Sequence, residues 1–196
     1  MASQVELKSF SVGPMDNNVY ILIDSETRDS ILFDAPVDAG RILTELQGTN
    51  LQYILFTHAD GDHVEALQQV KAATSAPVGI DGREATRLPL EPDFEIHDGD
   101  VFRFGTSEVR AISTPGHSPG GVSFLTDGIL IAGDTLFPGG PGNTQRPDGN
   151  FRAIIENIES RLFTLPDDTV VYPGHGKPTT IGTERPHLQE WIQRGS

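Results

Sequence analysis

Histidines and aspartates are concentrated in one six-residue stretch of this chain. His58, Asp60, Asp62 and His63 follow the apolar, aromatic run at residues 53–56 and precede a helical pattern. Imidazole nitrogens and carboxylate oxygens are side-chain ligands that divalent metal ions take in proteins, and the chain contains no cysteine thiolate. We therefore interpret this stretch as half of a metal site.

Three further candidate ligands share one kind of position. His117, Asp134 and His175 each follow an apolar, strand-like run, at or near the start of a loop that contains glycine or proline. Strand ends are rigid supports, and the loops after them are free to open a cleft. Each residue alone would more often belong to an ordinary loop or turn. Their shared placement favours a site, because burying so many ionisable groups is costly unless they bind something.

The elements that must position these residues follow from apolar periodicity and turn residues. Strands and helices alternate in the first third of the chain, four strand-like runs separated by turns occupy residues 101–132, and helix and strand return at the end. Residues 138–150 are rich in glycine and proline and must form a loop. Helices are predicted at residues 39–46, 64–70, 151–165 and 184–193. This order favours sheets packed on each other with helices outside.

The composition is typical of a soluble globular protein, and we expect one domain over residues 1–196. The formal net charge of −14 argues against binding to nucleic acid or to an anionic membrane. No apolar run reaches membrane-spanning length, and the N-terminus lacks the pattern of a signal peptide. We therefore expect a cytoplasmic protein whose partner is a small molecule, with its oligomeric state left open.

The motifs around these residues resemble the metallo-β-lactamase superfamily. The order His-x-x-x-Asp-His, Gly-His, Gly-Asp-Thr-Leu-Phe and Pro-Gly-His-Gly extends over nearly the whole chain. Residues 12–18 and 114–120 are most similar to its single-domain, glyoxalase-II-like branch, which is related to the hydroxyacylglutathione hydrolases. The resemblance implies an α/β fold: an αββα sandwich of two mixed β-sheets flanked by helices, with metals at one edge between the sheets.

The resemblance also implies a ligand set and a reaction. Two divalent ions are expected, with Zn²⁺ favoured and Fe²⁺ or Mn²⁺ as alternatives. The implied ligands are His58 and His117 for the first ion, Asp62, His63 and His175 for the second, and Asp134 as a bridge. A metal-bound hydroxide would attack an ester-like carbonyl, with Asp62 and Asp134 as the catalytic carboxylates. Because a thiolate leaves with little acid help, thioesters or related esters are the expected substrates.

Asp60 is where the chain departs from the family pattern, which is His-x-His-x-Asp-His. An aspartate can still ligate, but it is shorter and anionic, and it offers a hard oxygen in place of a nitrogen. With a third carboxylate, a site of two dications and one hydroxide becomes formally neutral and less Lewis-acidic. The first position should then tolerate Mn²⁺ or Fe²⁺ better relative to Zn²⁺. Alternatively, Asp60 does not reach the metal, and the first position is weak or empty.

Four other residues bear on the site. The glyoxalase-II-like branch commonly has Gly-Arg-Thr-Asp where this chain has Asn143 and Gln145, so the arginine and aspartate of that segment are absent. Arg146 is a candidate to replace the lost cation, and a solvated surface position is the alternative. Asp34 ends a predicted strand, and we expect it to hydrogen-bond to the ligand loop.

Two other functional classes stay open. An iron oxygenase resembling the persulfide dioxygenases would need only His58, His117 and Asp134, a set of two histidines and one carboxylate that suits Fe²⁺ and O₂. A non-catalytic member with one structural metal or none would act as a binding module. Retention of every other ligand argues against this last class.

Overall fold

The computed structural model describes residues 5–195. Within this part of the chain, two six-stranded sheets face each other, and helices cover both outer faces. This is the expected αββα sandwich of two mixed sheets.

The first sheet takes up the N-terminal half of the chain. Its strands pair in sequence order: β1 (Val5–Val12), β2 (Asn17–Asp24), β3 (Asp29–Phe33), β4 (Asn50–Leu55), β5 (Val78–Ile80) and β6 (Phe94–Glu95). The first three are antiparallel. From β3 to β6 the strands run parallel, because longer connections return the chain to the same end of the sheet. All of β2 is buried, as expected for a strand covered on both faces.

The second sheet and a small hairpin contain the remaining strands. These are β7 (Val101–Phe104), β8 (Ser107–Ser113), β9 (Val122–Thr126), β10 (Ile129–Gly133), β11 (Leu136–Phe137), β12 (Gly140–Pro141), β13 (Val170–Pro173) and β14 (Thr179–Thr180). The run from β7 to β10 is an antiparallel meander, as predicted. β13 pairs in parallel with β10, and β14 is the edge strand beside it. In the small hairpin, β12 lies within the predicted loop at residues 138–150 and β11 directly precedes it.

The helices are α1 (Ala39–Glu45), α2 (Gly61–Val64), α3 (Leu67–Thr74), α4 (Phe151–Asn157), α5 (Ile181–Glu184) and α6 (Leu188–Arg194). Three predicted helices are more broken than expected. The helix predicted at residues 64–70 is divided between α2 and α3, and α4 ends in a wide π-helical turn at Ile158–Leu162. A 3-10 turn with Pro186 interrupts the tail, because proline has no N–H to continue a helix. Among residues 5–195, no helix has the length and apolar character needed to cross a bilayer.

Three apolar layers hold the sandwich together. Ile42 of α1 and Leu67 of α3 pack on the outer face of the first sheet. Phe33 and Phe124 meet between the sheets, with ring centroids 5.0 Å apart. Trp191 of α6 packs with α4 on the outer face of the second sheet. Burying each such side chain stabilises the fold by about 1.5–3 kcal/mol.

Strand ends from both sheets meet at one edge. Parallel pairing brings the C-terminal ends of β3 and β4 side by side, and does the same for β10 and β13. β8 runs in the same direction as β10, because each is antiparallel to β9. The hydroxyl of Tyr20 donates to the carbonyl of Pro173 at 2.7 Å, and the amide of Val122 donates to the carbonyl of Thr57 at 2.9 Å. These bonds join the sheets where the predicted ligand loops begin.

Candidate metal centre

All the side chains that the sequence predicts as ligands converge at this edge: His58, Asp60, Asp62, His63, His117, Asp134 and His175. Asp134 directly follows β10 and lies in the middle. Its Oδ1 is 3.6 Å from Nε2 of His63, and its Oδ2 is 3.6 Å from Nε2 of both His117 and His175. A bridging carboxylate would need this central place.

The second position is the group formed by Asp62, His63 and His175. Nε2 of His63 lies 3.2 Å from Nε2 of His175, which in turn lies 3.3 Å from Oδ2 of Asp62. Ligand atoms bound tetrahedrally to Zn²⁺ at about 2.0–2.1 Å are separated by roughly 3.3 Å. Nε2 of His63 lies 3.8 Å from Oδ2 of Asp62, so two of the three separations match those of ligands to one ion and the third is slightly longer.

Hydrogen bonds at Nδ1 orient both imidazoles of the second position. His63 Nδ1–H donates to Asp34 at 3.0 Å, and His175 Nδ1–H donates to the carbonyl of Met15 at 2.9 Å. The two Nε2 atoms therefore face each other, and a proton or a metal ion must lie between them. Burial lowers the pKa of His63, but the hydrogen bond and charge of Asp34, with the neighbouring carboxylates, raise it to about 9. Without metal, His63 carries the proton that a dication would displace.

His58 offers a free lone pair. The hydroxyl of Thr57 donates to Asp34 at 2.8 Å, so it accepts from His58 Nδ1–H at 3.0 Å. Nε2 of His58 is then unprotonated, and it is buried without a hydrogen-bond partner. Burial, together with the nearby imidazoles, holds the pKa of His58 well below its usual range. His58 is thus preset as a neutral ligand.

Asp134 also needs a cation. Its Oδ1 is buried without a hydrogen-bond partner, and burial raises the pKa of its carboxyl even though the surrounding histidines act in the opposite direction. A divalent ion beside Asp134 would stabilise its charged form. The donors at the second position, with Asp134, therefore fit a divalent metal ion by their chemistry: imidazole nitrogens and carboxylate oxygens held by hydrogen bonds from outside.

The first position is the group formed by His58, Asp60 and His117, and a guanidinium already occupies it. His117 Nδ1–H donates to the carbonyl of Asn143 at 2.8 Å, which leaves Nε2 unprotonated. Nη1 of Arg146 lies 3.1 Å from that Nε2 and contacts Oδ2 of Asp60, while its Nη2 donates to Oδ1 at 2.8 Å. A metal ion here would need the same atoms. The first position therefore does not fit a metal ion while Arg146 stays in place.

A second arginine reaches Asp60 from the other side. Arg87 contacts Oδ1 of Asp60 and also donates to the buried Glu84 at 2.7 Å. Burial raises the pKa of Asp60, but the hydrogen bonds from Arg146 hold it well below its usual range. Asp60 is thus a permanent carboxylate paired with two guanidinium groups.

The structure decides one of the alternatives drawn from the sequence and adds residues that the sequence did not indicate. Arg146 is bound to Asp60 and is not a solvated surface residue. Asp34 supports the ligand loop, as expected. Arg87 and Glu84 were missed, and the one available signal was their i, i+3 spacing, which is common on any helical surface.

The first two residues of β2 hold both ligand loops of the second position in place. Asn17 donates from its amide to Oδ2 of Asp62 at 2.8 Å and to the Asp62 carbonyl at 3.0 Å. Asn18 donates to the carbonyls of Pro173 and Gly176 on either side of His175. These contacts explain the asparagine pair in the sequence, because each orients one ligand loop.

Two apolar side chains flank the open side of the centre. The ring of Phe137 stacks on the imidazole of His175, with centroids 6.5 Å apart. Met15 is 53% exposed next to the same histidine, whose Nδ1–H bonds to its carbonyl. A substrate approaching the second position would meet these two side chains.

Several known proteins are similar to this chain. The chain is 35% identical over 164 residues to a hydroxyacylglutathione hydrolase of Cereibacter sphaeroides, which covers 82% of the chain and 62% of that protein. It is 31% identical over 163 residues to the human mitochondrial persulfide dioxygenase ETHE1, covering 80% of the chain and again 62% of the relative. The crystal structure of TTHA1623 in a di-iron-bound form superposes with a TM-score of 0.80 at 30% identity, covering 91% of this chain and 96% of that one.

A family model extends this similarity over most of the chain. The model described as the metallo-beta-lactamase superfamily matches residues 12–175, which include both asparagines at the start of β2 and every candidate ligand. With two sheets meeting at an edge lined by histidines and aspartates, the sequence match and the fold agree. The chain belongs to the metallo-β-lactamase superfamily.

Proposed function

We propose that this protein is a metal-dependent hydrolase of thioesters or related esters. The observation that supports it is the pair of imidazole nitrogens 3.2 Å apart at the second position, beside the carboxylates of Asp62 and Asp134, with the side chain of His175 23% exposed. When bound there, a divalent ion supplies Lewis acidity and lowers the pKa of water toward neutrality. Similarity to a hydroxyacylglutathione hydrolase favours a small thioester as substrate.

The two catalytic carboxylates have different roles in this proposal. Asp134 is buried and contributes fixed negative charge between the two positions. Asp62 is partly exposed and lies 3.3 Å from His175, so it is placed to take a proton from water and pass it to the leaving group. Asp60 is not available for this work, because its two arginines keep it ionised.

A second candidate is an iron-dependent oxidoreductase similar to persulfide dioxygenases. It is supported by the identity to ETHE1 and by the placement of Asp134 next to both His117 and the group that contains His58. Two histidines and one carboxylate are a set that suits Fe²⁺ and O₂. The di-iron form of TTHA1623 also makes iron a candidate metal for this chain.

Assays on protein freed of metal and reloaded with Zn²⁺, Mn²⁺ or Fe²⁺ test both candidates. We expect thiol release from generic thioesters with at least one metal, and little turnover of a chromogenic β-lactam. His63→Ala should abolish the reaction, whereas Asp38→Asn, on the exposed cap of α1, should leave it unchanged. Oxygen uptake with a persulfide by the iron form, without thioester hydrolysis by any form, would establish the second candidate in place of the first.

A further inference from the structure

The guanidinium of Arg146 lies on the two atoms that a first metal ion would bind. It contacts Oδ2 of Asp60 and lies 3.1 Å from Nε2 of His117. We propose that Arg146, supported by Arg87, replaces the first metal ion, so that the folded protein holds one divalent ion, at the second position. This rests on the metal-binding part of the proposed function and not on the reaction.

The geometry at Asp60 favours a guanidinium over a metal ion. Both carboxylate oxygens are engaged by Arg146, in the two-point arrangement that suits a planar guanidinium. The side chain of Asp60 is 15% exposed, so this pair is largely shielded from water. A metal ion would have to displace Arg146 from both oxygens of Asp60 and from His117.

The charges at the first position point the same way. Arg87 and Arg146 together bring two positive charges to Asp60, which is the charge of the dication they replace. Arg87 is itself held by the buried Glu84, which also accepts from the amide of Gly120 at 2.8 Å. Arg87 therefore cannot turn away, and a dication at this position would lie against two like charges.

The free lone pair of His58 is compatible with a single ion. Its ligand nitrogen, that of His63 and a carboxylate oxygen of Asp134 all lie within 4.8 Å of one another. His58 is therefore near enough to the single ion to turn toward it, and no second ion is required to explain its unprotonated nitrogen.

Metal stoichiometry tests the proposal without substrate. Metal-free protein is saturated with Zn²⁺, passed through a desalting column and analysed by mass spectrometry of the metal. We expect one equivalent in the natural sequence and two in the double variant Asp60→His with Arg146→Gln, which restores an imidazole and removes the guanidinium. Arg83→Gln is the matched control: Arg83 pairs with Asp81 away from the centre, so this variant should hold one equivalent.

The position of the ion is tested by removing one histidine at a time. His63→Ala should reduce the zinc content to below about one tenth of an equivalent, whereas His117→Ala should retain one. Three results would overturn the proposal. The first is two zinc equivalents in the natural sequence, and the second is one equivalent in the folded double variant. The third is a His63→Ala protein that keeps its zinc while the His117→Ala protein loses it. Circular dichroism identifies folded variants, and Arg146→Met alone replaces the double variant if that one does not fold. Inactivity toward every ester would contradict the proposed function and leave this stoichiometry unaffected.

Discussion

Asp34 shows how one carboxylate sets the chemistry of its neighbours. One oxygen accepts the amide of Thr57, and the other accepts both the Thr57 hydroxyl and Nδ1–H of His63. Through Thr57 it also determines which nitrogen of His58 faces the centre. It does this from a left-handed backbone conformation at φ 57°, which aspartate tolerates better than most residues. Asp34 is therefore a positioning residue for two ligands.

Asp34→Asn should weaken metal binding about 10- to 100-fold, because the amide cannot accept all three hydrogen bonds. Zinc affinity measured by competition with a chelator checks this. Asp38→Asn is the matched control, since Asp38 has a similar backbone conformation but is exposed and caps α1, where asparagine works equally well. Equal affinity of both variants would mean that Asp34 does not position His63.

Residue types alone predicted the candidate ligands but not the arginines. Histidine and aspartate at strand ends indicate metal binding wherever they occur together, so His117 and His175 could be predicted without coordinates. Arg87 and Arg146 lie 27 and 86 residues from Asp60, and an arginine in a loop is ordinarily solvated. Their meeting at Asp60 depends on how both loops fold back over the centre, which no local pattern encodes.

At the scale of elements, the loop after β13 approaches the centre more closely than any side chain would allow. A Cβ atom on Gly174 would lie 2.1 Å from Oδ1 of Asp134 and 2.8 Å from Cε1 of His63. A Cβ atom placed on Gly61, at the start of α2, would have no heavy atom within 4 Å. The first glycine is required by packing and the second is not.

Gly174→Ala should therefore destabilise the protein by about 1–3 kcal/mol through overpacking and lower zinc affinity at least tenfold. Urea unfolding and chelator competition measure the two effects. Gly61→Ala should leave both nearly unchanged. A Gly174→Ala protein with normal zinc affinity would show that Asp134 and His63 can move apart without consequence.

Another link between elements lies at the opposite end of the sheets. Asp24, at the end of β2, accepts from Thr27 in its own turn and from Thr106 and Ser107 in the turn between β7 and β8. Burial alone would raise the pKa of Asp24, but the hydrogen bonds from Thr27, Ser107 and Thr106 hold it well below its usual range. This carboxylate joins the two sheets only while it is ionised.

The contribution of Asp24 should be fully present above the unfolded-state pKa near 3.9 and should decline as the pH falls through that value. Asp24→Asn should cost about 1–3 kcal/mol at pH 7, because buried donors lose an ionised acceptor. Urea unfolding at pH 7 and pH 3 should show that the difference from the natural sequence shrinks in acid. The exposed Asp168→Asn serves as control, and a difference independent of pH would contradict the assignment.

Element types could be predicted from the sequence better than element ends. The meander from β7 to β10 was recognisable because turn residues separate short runs that are mainly apolar. The helix predicted at residues 151–165 keeps its apolar face, because Ile158 and Leu162 are buried. Its α-helical hydrogen bonding ends earlier, since both residues lie in the π-helical turn. Apolar spacing predicts which side chains are buried. It does not predict whether the backbone that positions them is α-helical or π-helical.

At the scale of the whole molecule, the second position takes ligands from both sheets. Asp62 and His63 follow a strand of the first sheet, and Asp134 and His175 follow strands of the second. An ion held by all four therefore ties the sheets together at one edge. Since such an ion binds only the folded protein, its binding free energy adds to the stability of the fold.

Metal removal should lower the stability measurably. At a free zinc concentration of about 1,000 times Kd, the ion should add about 4 kcal/mol, which corresponds to roughly 10 °C in Tm for a protein of this size. Differential scanning calorimetry with and without chelator checks this. His63→Ala should show no such difference. If the chelator leaves the Tm of the natural protein unchanged, the metal centre does not join the sheets.

The close approach of His63 and His175 also has a consequence for how the protein matures. These residues are 112 positions apart in the chain, and contacts between such distant segments form late in folding because loop closure is entropically costly. The new chain should therefore fold first, with a proton where the ion will be, and take up metal afterwards. A cell short of metal should therefore accumulate folded, metal-free protein, which could bind metal supplied later without new synthesis.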